Sequence, residues 1–73
     1  MNLKLKKEVY EVIMFFWSEL KKYVFTDSKP DFDGYLNSVQ HEYDIYKQKD
    51  SDLFELFSRI AADINHYLYK KGL

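Results

Sequence analysis

Apolar residues recur at intervals of three and four along almost the whole chain, and only two short polar stretches, "TDSKPDFDG" at 26–34 and "KQKDSD" at 47–52, interrupt them. A side chain advances about 100° per residue around a helix, so that spacing gathers apolar groups on one face. In the first segment Leu5, Val9, Val12, Ile13, Phe16, Leu20, Tyr23 and Val24 fall on one stripe, with Lys4, Glu8, Glu11, Ser18, Glu19 and Lys22 opposite. In the second, Phe32, Leu36, Val39, Tyr43 and Tyr46 step by 4, 3, 4 and 3, with Tyr35 alongside. In the third the stripe is Leu53, Leu56, Phe57, Ile60, Ala61, Ile64, Tyr67 and Leu68. No segment alternates with the period of two that a half-buried strand requires.

The breaks carry helix punctuation. Ser28 and Asp31 have the spacing of a capping box, Pro30 suits a first helical turn, and Asp31 and Asp33 favour the positive end of a helix. Asp52 with Glu55 forms a second cap pair, and Gly72 stands where a C-terminal left-handed glycine belongs. These signals predict helices over about residues 3–25, 31–48 and 52–71. Short loops make consecutive helices antiparallel. The expected fold is therefore all-α, a small antiparallel three-helix bundle running up-down-up, with 1–73 as a single helical domain.

A chain of 73 residues leaves room for one domain and buries only about 60% of its unfolded surface. It has no cysteine, which excludes disulfides and thiolate zinc sites. The basic start and the run "VIMFFW" at 12–17 invite comparison with a secretion signal. Glu8 and Glu11 interrupt that pattern, and no small-residue cleavage site follows. Glu19, Lys21 and Lys22 stop the segment well short of the roughly 20 apolar residues of a membrane span. The expectation is a cytoplasmic protein with no membrane partner.

Sites for chemistry are sparse. "DFDG" at 31–34 has the centre of a calcium loop, but the two end positions that need acidic ligands hold Lys29 and Gln40. "HEYDI" at 41–45 begins like a zinc-protease helix, yet the second histidine's place is taken by Ile45. His41 and His66 each stand three residues from an acid, a spacing suited to surface pairing. No serine sits in a glycine-rich elbow, and two glycines cannot build a phosphate cradle. The sequence predicts no catalytic residue, metal or other cofactor.

Nucleic acid is also disfavoured. Eleven Lys and Arg against twelve Asp and Glu leave a net charge of −1. The lysine clusters sit mostly at helix ends, where the helix dipole favours them, and form no continuous basic stripe. Were the third helix a recognition helix, Glu55 and Asp63 would repel phosphate beside Arg59.

Aromatic residues make up 19% of the chain, and some have no place on a stripe. Tyr10, Met14 and Trp17 form a second row on the first helix, and Phe15 points towards its polar arc. Ile45 lies opposite the second stripe, and Phe54 and Tyr69 lie off the third. Aromatics and Met are enriched at the centres of protein interfaces. These seven residues are the expected protein interface. The function expected is a small non-catalytic binder of another protein, an inhibitor or neutralising protein of the immunity or antitoxin type, or one encoded by a phage. The alternatives are a homo-oligomeric accessory protein, in which a homodimer supplies the missing core, and, behind it, a nucleic-acid-binding regulator.

Overall fold

The computed structural model describes residues 3–72, which form three helices: α1 (Leu3–Tyr23), α2 (Phe32–Lys47) and α3 (Ser51–Lys70). They make an up-down-up bundle with no strand among the described residues, within principal extents of 40 × 20 × 20 Å. α2 packs on both neighbours, whereas α1 and α3, which run parallel, touch least.

The helix ends differ from expectation by a residue or two, for local reasons. α1 stops at Tyr23 because the Phe25 N–H turns back to the Leu20 carbonyl and the Tyr23 carbonyl accepts from the Asp31 N–H across the loop. Asp31, rather than Ser28, caps α2: its side chain accepts from the Gly34 N–H at 2.9 Å, so Pro30 precedes the cap. Asp50, rather than Asp52, caps α3, accepting from the Asp52 and Leu53 N–H groups at 2.9 and 3.1 Å. Each shift moves an acceptor to the position from which it can reach the second and third helical N–H groups. Gly72 adopts φ 87°, the left-handed geometry expected just past α3.

Gly34 is required by a close approach. A Cβ there would lie 2.5 Å from Asp31 Oδ2 and 2.9 Å from Tyr23 Cδ1, so this glycine lets the end of α1 and the start of α2 come together.

The core is an aromatic stack with aliphatic packing around it. Val12, Phe16, Val24, Tyr35, Val39, Tyr46, Phe57, Ala61 and Leu68 are buried. Phe57 sits at the centre, its ring 4.7 Å from Phe16 and 4.8 Å from Tyr46. Each buried aromatic contributes about 1.5–3 kcal/mol through removal from water, and tilted or offset ring pairs add about 0.5–1.5 kcal/mol. The core thus draws on all three helices through a few large side chains.

Candidate interaction surface

The stripe expected on α1 is only partly the stripe that the bundle covers. Val12 and Phe16 are buried, and Leu20 and Tyr23 are partly so. Leu5, Val9 and Ile13 remain 58%, 41% and 52% exposed, and Leu5 and Val9 line an open cleft between the first halves of α1 and α3. Phe15 does not point into the polar arc. It is half-buried, with its ring 5.4 Å from Phe16 and 5.8 Å from Phe57. The buried arc of α1 is thus rotated from the expected stripe, gaining Phe15 and losing Ile13.

That rotation sharpens the outer face. Tyr10, Ile13, Met14 and Trp17 are all exposed, and their numbers are those of one helix face, i, i+3, i+4 and i+7. Past the end of α1 the exposed Phe25 ring lies 6.3 Å from Trp17 and extends the band. The Lys21 ammonium is held 5.7 Å from the centre of the Trp17 ring. Three more lysines lie over aromatic rings: Lys22 over Tyr23, Lys49 over Tyr46 and Lys71 over Tyr67. Exposed pairs of this kind contribute about 0.5–1 kcal/mol.

The other expected interface residues separate. Phe54 is half-buried and packs edge-on against Tyr43 at 4.8 Å, so it belongs to the α2–α3 packing rather than to a free surface. Ile45 is exposed on the outside of α2 among His41, Asp44, Gln48 and Lys49. Tyr69 is exposed on the last turn of α3. Of the seven residues, Tyr10, Met14 and Trp17 form the continuous band, and Ile13 and Phe25 complete it. Tyr67, placed on the α3 stripe by its spacing, is also exposed. Ile13 was legible in principle, since it stands at helical spacing from both Tyr10 and Trp17. It belongs to two overlapping stripes, and only the positions of the neighbouring helices decide between them.

Beside the band, a cleft of about 190 Å³ opens between the first halves of α1 and α3. Leu5 and Val9 form one wall, Leu53 and Leu56 the other, and Glu8, Asp50 and Asp52 stand around it.

Two buried tyrosines have shifted phenols. Burial, with Glu19 as a second cause, pushes the Tyr35 phenol up to about 12. Tyr46 is raised by burial and by Glu42, Glu11 and Glu8. Tyr35 Oη and Glu19 Oε2 are both buried without a hydrogen-bond partner. A phenol so placed holds its proton at neutral pH and is a poor general acid or base. Among the described residues no group of three or more His, Cys, Asp or Glu side chains could hold a metal ion, and no helix is long and apolar enough to cross a membrane. Asp44 accepts from Gln40 at 3.0 Å, and of the Glu55, Arg59 and Asp63 ladder the pair formed is Arg59–Glu55 at 2.6 Å.

Compared with known proteins, the chain matches no family model, no curated protein and no solved structure.

Proposed function

We propose that this chain is a non-catalytic protein-binding module, an inhibitor or neutralising protein of the immunity or antitoxin type or one encoded by a phage, that docks on its partner through the outer face of α1. The observation that supports this reading most is the set Tyr10, Ile13, Met14 and Trp17, exposed together at the spacing with which an amphipathic helix inserts its anchors into a partner. Aromatic and Met side chains supply large contact areas at interface centres. Replacing Met14 and Trp17 together with Ser tests it. The expected result is unchanged helicity and melting with loss of the partner captured from the native host. A collapsed fold would assign these side chains to the core, and undiminished capture would move the binding surface elsewhere.

Self-association is the second reading, favoured by the open cleft between α1 and α3 in a chain of only 73 residues. Its signature is a melting temperature that rises with protein concentration.

A further inference from the structure

The exposed face of α1 reads alike in both directions. Lys6, Tyr10, Ile13, Met14, Trp17 and Lys21 are all exposed and follow one another at intervals of 4, 3, 1, 3 and 4, so they form one row along the helix. An ammonium group stands at each end of the row, an aromatic ring comes next, and Ile13 and Met14 occupy the middle. The Lys21 ammonium lies 5.7 Å from the centre of the Trp17 ring, so this charge borders the apolar anchors directly. No carboxylate of α1 joins the row. Glu8 and Glu11 lie near enough to Tyr46, and Glu19 to Tyr35, to raise those phenols, which places all three acids on the side of α1 towards α2. Of the other lysines of α1, Lys4 pairs with Glu8, Lys22 lies over Tyr23, and Lys7 is exposed beside Lys6. Neither of the two ion pairs among the described residues, Lys4–Glu8 and Arg59–Glu55, includes Lys6 or Lys21.

We infer that the partner of this face is an acidic protein whose contact strip has an apolar centre and a carboxylate near each end, roughly 22 Å apart. The inference rests on the protein-binding reading above and names the partner's chemistry. The separation is the rise of α1 between Lys6 and Lys21, at about 1.5 Å per residue. The apolar centre takes up Tyr10, Ile13, Met14 and Trp17, and the two carboxylates meet the ammonium groups left at the rim of the contact. The chain as a whole carries a net charge of −1, so the attraction is local to this face of α1. A second copy of the chain supplies no such strip. Two α1 faces packed antiparallel about Ile13 and Met14 set Lys6 of one copy against Lys21 of the other, and packed parallel they set each lysine against its own counterpart. Both arrangements oppose like charges. An anionic bilayer supplies negative charge, but Lys6 and Lys21 stand in the row of anchors, and embedding that row draws both ammonium groups towards hydrocarbon.

Three helical peptides of about 22 residues, each with the same Leu and Ile face and no Trp, stand in for the strip. The first carries Glu at both ends of that face, about 15 residues apart. The second carries Lys at those two positions, and the third carries the two Glu on its opposite, polar face. All are used below the concentrations at which they self-associate. Trp17 is the one tryptophan of the chain, so its emission reports binding to the intact protein. The expected result is a blue shift with the first peptide, at least roughly tenfold tighter binding than either of the others at low salt, and a ratio that shrinks as salt is added. The Lys6→Glu, Lys21→Glu double variant should prefer the second peptide instead. A first peptide that binds no tighter than the others, no binding of any, or a preference that survives the charge exchange overturns the proposal. So does a shift produced by phosphatidylglycerol vesicles alone, which would assign the row to an anionic membrane, or a dimer in sedimentation that the first peptide does not displace. The Ile13→Ser, Met14→Ser double variant separates this proposal from the broader reading. If the three peptides bind equally and the variant loses all of them, the charge inference fails while the α1 surface stands. If the variant binds as the parent does, the α1 surface itself fails.

Discussion

The two faces of α1 are made from the same kinds of side chain and are used in opposite ways. On the inner face Val12 and Phe16 are buried and Phe15 leans against them, with Phe57 of α3 in contact with both rings. On the outer face Tyr10, Ile13, Met14 and Trp17 keep between 38% and 61% of their surface in water. The inner rings have their burial energy already; the outer side chains retain roughly half of theirs for whatever covers them. Apolar character alone does not make core. A residue is core when a neighbouring helix lies over it, as α3 lies over Phe16 through the Phe57 ring.

The most severe way to break this contrast is Phe57→Ala, which removes the ring on which Phe15, Phe16 and Tyr46 converge. A loss of about 3–5 kcal/mol is expected, enough to unfold much of a small domain, as urea denaturation would show. A second test uses alkali against the inner face, where Glu19 of α1 meets Tyr35 of α2. A phenol raised from 10.0 to about 12 in the folded chain favours the unfolded state once the unfolded chain can ionise. Stability from this group is complete below about pH 10 and is lost as the pH rises towards 12, about 2–3 kcal/mol in all. Melting curves in that interval, followed with phenolate absorbance, check both size and sign.

Between the faces the sharpest comparison is Phe15→Ser against Ile13→Ser. The first should cost about 2 kcal/mol, since half-buried aromatic contacts are removed, and the second no more than about 0.5 kcal/mol. Equal costs in thermal melts would erase the distinction between inner and outer faces. The smallest effect is at the start of α3. Asp50→Ala should destabilise by about 1 kcal/mol through loss of the α3 cap, whereas Asp52→Ala, which removes no cap acceptor, should change melting little.

Much of the fold was legible because three apolar stripes and two polar breaks leave few arrangements other than an antiparallel bundle. The rotation of α1 was not. Periodicity places Ile13 between an inner and an outer stripe and cannot say where the neighbouring helices lie, so Ile13 is left exposed while Phe15 packs against Phe16 and Phe57. The caps were misplaced for a related reason. Several acids and a serine crowd each break, and which one acts depends on backbone turns such as the bond from the Asp31 N–H to the Tyr23 carbonyl. Tyr10, Met14 and Trp17 were readable as surplus because no single buried stripe can include them. Phe54 was misread as surplus because Tyr43, its partner, lies on a different helix.

α2 lies against both other helices while they touch each other least, and this orders how the molecule can come apart. Displacing α2 removes the two larger helix–helix contacts at once and leaves α1 and α3 joined mainly through the Phe15, Phe16 and Phe57 rings. Amide hydrogen exchange should therefore be slowest in the middle of α2, near Tyr35 to Tyr43, with protection approaching that of global unfolding. The amides of α1 and α3 away from those rings should exchange through smaller local openings.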